Sequence, residues 1–441
     1  MSKKTVVLAL VSAAVLGACS VGVSQVTTQN KKDLYSQVEL FSYALTTIQS
    51  DYVDEKTPQE LIYGALRGML SSLDPHSEFM DPDEYKDLKS ETEGKFGGLG
   101  VEISMKDDLL TIISPVEDTP AWRAGLKPGD RIVKIDHDIT RDMGLDDAVK
   151  KLRGEPGSKV TLTILRESDD SVKDFVITRE IIHVDDIKDP HIMDDHIGYV
   201  RLTEFREDSY NELHQALEKL KAQGADSLVL DLRNNPGGLL EVATSIAEEF
   251  LPAGKTIVSI KGRHASEDYT ATSGNHNGDF LAWPMVVMIN EGSASGSEIV
   301  AGALRDNKRA VLVGVKSFGK GSVQSVIPLP DGSGLRLTTA RYFTPSGVCI
   351  NGIGIEPDVL VESNSTRDDD SDDEKSAGKE SGQDVDSLFS DLERKEKKDK
   401  EVPVVDKKSL ELKKKDLADI QLQSAVNVIK GIKIYSKFQQ K

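Results

Sequence analysis

Cysteine is nearly absent: two residues in 441, Cys19 and Cys349. Two thiols form at most one disulfide, so the fold cannot depend on a disulfide framework even in an oxidising compartment, and a large hydrophobic core must hold it. Positive charge is outnumbered, with 55 Lys and Arg against 74 Asp and Glu and a formal net charge of −19. That argues against nucleic acid as a partner, because phosphate binding demands basic surface. The apolar run from about Val6 to Ala18 is shorter than the roughly 20 residues of a membrane span. It follows Lys3 and Lys4 and gives way to polar Ser24, Gln25 and Asn30, the pattern of a secretory signal over residues 1–18. Metal signatures are missing too. No His-Glu-x-x-His helix or Cys pair accompanies the histidines, and His191-Ile-Met-Asp-Asp-His196 reads as a polar turn before a strand, so no metal or cofactor is implied.

About 420 residues remain after the signal, too many for one core and enough for two domains with appendages. Residues 33–93 read as an amino-terminal helical region, with apolar Leu40, Tyr43, Ala44 and Ile48, then Leu61, Ala65 and Leu66 after Pro58; Asp74-Pro-His76 breaks the helices. Residues 94–180 switch to short β runs around a helix at Leu145–Leu152. From 181 to 362 apolar strands alternate with helices, as in an α/β layered domain. Residues 363–410 begin Asp-, Ser- and Gly-rich and turn basic, and read as a disordered linker. Residues 411–441 carry a partly amphipathic helix with Leu417, Ile420, Leu422, Ala425, Val426, Val428 and Ile429, suited to a partner, another subunit or this chain itself.

Chemistry concentrates in two segments, Asn290-Glu-Gly-Ser-Ala-Ser-Gly-Ser-Glu298 and Phe318-Gly-Lys-Gly-Ser-Val-Gln324. They offer a hydroxyl nucleophile, Ser295, and a lysine base, Lys320. A lysine of ordinary pKa, roughly 10.4, is charged; bringing it to about 7 means disfavouring the ammonium by about 4.6 kcal/mol, which desolvation can supply. Ser322–Ile327 reads as a strand, which turns Lys320 and Gln324 the same way and lets Gln324 orient the amine. Ser295 falls where the strand Met285–Asn290 meets a helix starting near Gly296, so free N–H groups and the helix dipole face a developing oxyanion. Two other readings compete. Ser295-x-x-Glu298 is also a capping box, and Ser317-Phe-Gly-Lys320 matches a Ser-x-x-Lys motif that would need a helical turn and a Ser-Asp-Asn partner.

These segments, with Asp51-Tyr-Val-Asp-Glu55, Leu73-Asp-Pro-His-Ser77, Asp231-Leu-Arg-Asn-Asn-Pro-Gly-Gly238 and Gly354-Ile-Glu-Pro-Asp358, closely resemble the carboxy-terminal processing (tail-specific) proteases over residues 33–362. The resemblance implies an α/β protease core with an inserted, mainly β PDZ domain, an amino-terminal helical segment and a helical or disordered carboxy-terminal extension. It places the nucleophile on Ser295, the base on Lys320 and the orienting residue on Gln324, with Ser293 and Ser297 supporting. It puts the oxyanion hole on the N–H of Gly296 and one from Gly237 or Gly238, without choosing between those two. Cys349-Ile-Asn-Gly-Ile353 departs from the family pattern, at a place with no expected catalytic role.

Gly98-Leu99-Gly100-Val101 supplies successive N–H groups before a strand, the arrangement that captures a peptide carboxylate while the peptide adds as a strand. With Ala124-Gly-Leu-Lys-Pro-Gly-Asp130 it resembles a PDZ domain. Arg153 stands as a solvated arginine or a partner for a carboxylate or the protease body. Leu16-Gly-Ala-Cys19 looks like a lipobox, against ordinary cleavage near Ala18; with Ser20 following, the resemblance implies an exported protein anchored through lipidated Cys19 and facing the periplasm. The expected function is a serine endopeptidase acting on proteins and peptides with free carboxy-terminal tails, through an acyl-enzyme. The expected partners are a second copy (dimer or higher) and an activating adaptor protein. The alternative is a PDZ scaffold, or a protease inactive until a partner engages it.

Overall fold

The computed structural model describes residues 34–106, 109–141, 143–166, 171–264, 268–274, 280–363 and 407–439. Cys19 with the expected signal, and residues 364–406 of the expected linker, lie outside the described residues. The chain divides into two compact units, one comprising the chain up to Pro82 with Val326–Leu337, the other Asp83–Ser325 with the chain from Thr338 onward.

In the first unit, helix α1 (residues 34–51) leaves Leu34, Tyr35, Val38, Leu40 and Tyr43 exposed. Helix α2 (Pro58–Ser71) starts at a capping box between Thr57 and Glu60 and has Pro58 in its first turn, where a missing N–H costs nothing. The helices break at Asp74-Pro-His76, as the sequence predicts. Asp74 Oδ1 accepts the N–H groups of His76 (2.8 Å) and Ser77 (2.9 Å), closing a tight turn. Strand β1 (Glu78–Met80) then pairs antiparallel with Gly334–Arg336.

In the second unit, α3 (Pro82–Glu93) leads to β2 (Lys95–Gly98), β3 (Val101–Lys106), β4 (Leu109–Pro115), the one-turn α4 (Pro120–Arg123), β5 (Arg131–Ile135), β6 (Asp138–Ile139), α5 (Leu145–Leu152), β7 (Lys159–Arg166), β8 (Ser171–Thr178) and β9 (Glu180–His183). A sheet ordered β3-β4-β5-β7-β8, with β6 on β5, closes over Leu110, Ile112, Ile132, Leu162 and Ile164, with Ala148 and Leu152 of α5 against them. Strand β2 pairs antiparallel with β9, so the first and last strands of this segment are tied together, as an inserted module requires.

The α/β layer is built from β10 (Ile187–Met193), β11 (Ile197–Leu202), α6 (Ser209–Ala222), β12 (Ser227–Asp231), α7 (Leu240–Glu249), β13 (Thr256–Gly262), β14 (Tyr269–Thr272), β15 (Met285–Ile289), α8 (Gly296–Asp306), β16 (Val311–Gly314), β17 (Ser322–Pro328), β18 (Gly334–Phe343) and β19 (Val359–Leu360). The central sheet runs β10-β11-β12-β15-β16-β19; only the β10–β11 pair is antiparallel. Every residue of β12 and β15 is buried, as both faces of a covered parallel sheet demand. Period-two alternation decides which cover each side chain meets. Leu228, Leu230, Val287 and Ile289 pack with α6, α7 and α8, whereas Val229, Val286 and Met288 face the other way.

That second face is covered by the chain's own end. Helix α9 (Lys407–Ala418) is followed by α10 (Ile420–Gln439), which lays Leu422, Ala425, Val426 and Ile429 on Ile197, Tyr199, Val286, Met288 and Val313. The carboxy-terminal helix is therefore longer than its apolar pattern suggested, and packs on its own chain. Helix α9 begins within the stretch expected as linker, because Lys, Leu and Glu there are strong helix formers. Ile434, Tyr435 and Phe438 at the far end of α10 remain exposed.

Candidate active site

Two turns meet at the carboxyl ends of β12 and β15, neighbours that pair in parallel. This is where open α/β sheets place ligands, because the chain must leave the sheet there. The Ala294 N–H (3.0 Å) and Ser297 hydroxyl (2.9 Å) both donate to the Asn235 carbonyl, and the Ser293 hydroxyl donates to the Leu232 carbonyl (2.8 Å). Across the turns Asn290 Nδ2 donates to Asn234 Oδ1, while the Asn234 N–H donates to Asn290 Oδ1, each at 2.8 Å. Sequence reasoning missed Asn234, Asn235 and Asn290. The signal was available: Asx side chains at strand ends commonly close turns.

Ser295 sits at the junction of turn and helix, 8% exposed, as the N-cap of α8. Its backbone, at φ 49° and ψ −109°, is strained for a residue with a Cβ, and strain of this kind costs of order 1–3 kcal/mol. An ordinary N-cap sits in the extended region, so capping alone does not explain the conformation. One arm of the capping box is made nonetheless, the Ser295 N–H donating to Glu298 Oε2 at 2.9 Å, while the Glu298 N–H donates to the Ser295 carbonyl at 2.9 Å.

Gly237 packs directly against this serine. A Cβ there would lie 2.7 Å from Gly296 N and from Ser295 Cβ, which only glycine avoids. The two glycines differ in their N–H groups. That of Gly237 donates to Asn235 Oδ1 at 2.9 Å. Gly238 lies opposite Phe205, with Phe205 donating to the Gly237 carbonyl (2.9 Å) and Leu239 to the Phe205 carbonyl (2.7 Å). The N–H groups of Gly238 and Gly296 have no acceptor among the described residues.

Glu298, read from sequence only as a cap, ties the serine turn to the lysine loop. Wholly buried, its carboxylate accepts the Ser317 hydroxyl (2.5 Å) and Gly319 N–H (2.7 Å) on Oε1, and the Ser295 and Lys320 N–H groups (2.9 Å each) on Oε2. Burial pushes its pKa above the usual carboxylate value, and the hydrogen bonds only partly offset this. Phe318 donates its N–H to the Ser293 carbonyl at 3.0 Å, so the loop lies against the serine turn.

Lys320 is half-buried between two glycines that the backbone requires. A Cβ on Gly321 would stand 2.1 Å from Asn351 N, and the Gly352 N–H donates to the Gly319 carbonyl at 2.8 Å. The departing segment Cys349–Ile353 thus forms the wall behind the lysine loop, which its lack of catalytic side chains had hidden. Cys349 itself is a half-buried free thiol.

The expected link from Gln324 to Lys320 is not made in this structure. Lys320 precedes β17 by two residues, so strand alternation does not extend to it. Gln324 Nε2 donates to Ser322 Oγ (3.2 Å) and Thr338 Oγ1 (2.8 Å), while its buried Oε1 has no partner.

In the β module, Gly98 ends β2, buried Leu99 and Gly100 form the turn, and Val101 opens β3. Gly100, at φ 72°, leaves no room for a side chain, since a Cβ would lie 2.3 Å from Thr119 Cβ. The N–H groups of Leu99 and Gly100 have no acceptor among the described residues, as a carboxylate-binding turn needs. Arg153 stacks over the Phe96 ring, 4.5 Å from its centroid. His191 has both ring nitrogens engaged, Nδ1 2.6 Å from the Asp189 carbonyl oxygen and Nε2 2.9 Å from Asp416 Oδ2.

A buried serine on a strained strand-to-helix turn, with a β module of PDZ type inserted before the α/β layer, defines a serine-type peptidase with a peptide-binding domain. Family models agree: one described as peptidase family S41 matches residues 196–361, a PDZ domain matches 111–166, and the amino-terminal domain of the activating protease CtpB matches 12–84. The chain is 45% identical over 343 residues to a carboxy-terminal-processing protease of Bartonella bacilliformis, covering 76% of this chain and 78% of that protein. It is 40% identical to a carboxyl-terminal-processing protease of Synechocystis (69% and 72% covered) and 34% identical to the carboxy-terminal processing protease CtpA of Bacillus subtilis (74% and 69% covered). The chain belongs to the carboxy-terminal processing proteases, serine peptidases of family S41.

Proposed function

We propose that this protein is an exported endopeptidase that captures protein tails on the Leu99–Gly100 turn and cleaves them by a Ser295–Lys320 mechanism. Ser295 Oγ attacks the scissile carbonyl carbon as its proton passes to the neutral Lys320 amine. The oxyanion sits on the N–H groups of Gly296 and Gly238. As the C–N bond breaks, Lys320 returns the proton to the departing amine, leaving an acyl-Ser295 ester. Water then attacks the ester, its proton going to Lys320 and on to Ser295 Oγ as the acid leaves. The observation that carries this reading is the Glu298 carboxylate, which holds the strained serine and the lysine loop together beside two uncommitted N–H donors. Ser295→Ala and Lys320→Ala are each expected to abolish degradation of an unfolded protein with a free apolar tail. Normal proteolysis by either variant would sink the mechanism.

A second state of the same site is favoured by the partnerless Gln324 Oε1. We infer that the enzyme rests with this acceptor unengaged, and that a substrate tail or an adaptor protein brings the Lys320 amine onto it. The sequence Leu16–Cys19 supports export and lipid anchoring at the periplasmic face, and the exposed apolar side chains of α1 support association with a second copy.

A further inference from the structure

We propose that Asp419 and Gln421, at the start of the carboxy-terminal helix, are positioning residues for hydrolysis, acting through Arg233 on the turn that carries Gly238; this extends the Ser295 reading above. Arg233 opens the turn Arg233–Gly238. Its guanidinium is bound on the sheet side by Asp231, with Nε at 3.0 Å from Oδ1 and Nη2 at 2.7 Å from Oδ2. On the tail side Nη1 donates to Asp419 Oδ1 (3.1 Å) and Gln421 Oε1 (2.9 Å), and Nη2 donates to Asp419 Oδ2 (2.7 Å).

The tail groups are themselves held in place. Asp419 Oδ1 accepts the Leu422 N–H (3.0 Å) and so caps α10, while Gln421, 3% exposed, donates from Nε2 to the Val361 carbonyl (2.8 Å). Asp231 has its own further partner, the Tyr199 hydroxyl at 2.9 Å. Arg233 is therefore fixed from two sides by planar, charge-assisted contacts, which define direction as well as strength. The next residue, Asn234, has φ 57°, and Asn235 holds the Gly237 N–H and receives the Ser297 hydroxyl. A shift of Arg233 is thus passed along five residues of tightly bonded backbone to Gly238. Away from Arg233, α10 makes apolar packing and polar contacts nearer its far end, Lys430 with Asp195 (3.0 Å) and Lys433 with Asp226 (2.5 Å) and the Asp195 carbonyl (2.6 Å), which do not touch the turn.

The test uses the full chain and an unfolded protein substrate. Asp419→Ala/Gln421→Ala is expected to lower kcat about tenfold to a hundredfold with KM changed less than about twofold, since misplacement of about 1 Å costs about that much in rate. Lys433→Met, which loosens the same helix away from Arg233, is expected to keep the parental kcat. Adding the double substitution to Arg233→Gln is expected to cost little more than Arg233→Gln alone. Should the double variant fail to fold, Asp419→Asn, which keeps the cap, is expected to show a smaller loss in kcat at unchanged KM. Parental kcat in the tail variants, or an equal loss in Lys433→Met, overturns the proposal. Ser295→Ala is run alongside: if it is inactive while the tail variants are normal, only the tail inference fails, whereas an active Ser295→Ala removes the reading beneath it.

Discussion

Glu298 offers the sharpest perturbation, because one buried carboxylate receives donors from both halves of the site. In Glu298→Ala all four donors lose their acceptor. A buried unsatisfied donor costs about 1–3 kcal/mol, so the four together would cost roughly 4–8 kcal/mol after some rehydration, a large part of a domain's stability. Glu298→Gln is milder. If the amide oxygen faces the Ser295 and Lys320 N–H groups, its NH2 can donate to Ser317 Oγ, and only the Gly319 N–H is opposed by another donor. The expected loss is then about 1–3 kcal/mol, lessened by removing a charge that burial disfavours. Denaturant unfolding and steady-state proteolysis, measured on the same preparations, separate the two variants. Glu298→Gln should stay folded with reduced kcat, and Glu298→Ala should lose both fold stability and at least a hundredfold in kcat. A folded Glu298→Ala enzyme with near-parental kcat would refute the view that this carboxylate sets the serine against the lysine loop.

Gly237→Ala should fold poorly or be inactive, since its Cβ meets backbone and Ser295 Cβ at 2.7 Å at φ 101°; thermal unfolding and a peptidase assay check both outcomes. Gly100→Ala, with a Cβ 2.3 Å from Thr119, should weaken binding of a carboxylate-terminated peptide severalfold, measured by fluorescence anisotropy, while reaction of Ser295 with a small acylating reagent is unchanged. For His191, burial opposes the charge, but Asp416 and the Asp189 carbonyl outweigh it and raise the pKa above 6.5. A raised folded pKa means its stabilising contribution is full below about pH 6.5 and is lost as pH rises through the higher folded value. Docking of α9 should therefore weaken across neutral pH, and His191→Gln should flatten that dependence in hydrogen-exchange protection of α9.

Much of the fold was legible because its elements carry strong periods. The helix Leu145–Leu152, the strand that begins at Met285 and the helix that begins at Gly296 lie where the patterns placed them, since each buries one regular face or is wholly apolar. β1 escaped because three residues cannot display a period, and its partner lies over 250 residues away. The end of the chain was harder for a related reason: an amphipathic helix states that it has a partner without saying which surface that is.

The candidate site divides the same way. Sequence alone nominated Ser295, Lys320 and the glycine turn as candidates, because a nucleophile, a base and side-chain-free backbone are requirements on residue type. Which glycine has an uncommitted N–H, that Glu298 bridges the serine turn and the lysine loop, and that Gln324 is bonded to Ser322 and Thr338 were decided only by tertiary structure. Those are matters of direction and distance between segments brought together by a parallel sheet, and residue spacing does not encode them. The tail shows this most plainly: Asp419 lies 186 residues beyond Arg233. It meets that arginine only because α10 covers the face of the sheet that α6, α7 and α8 leave open.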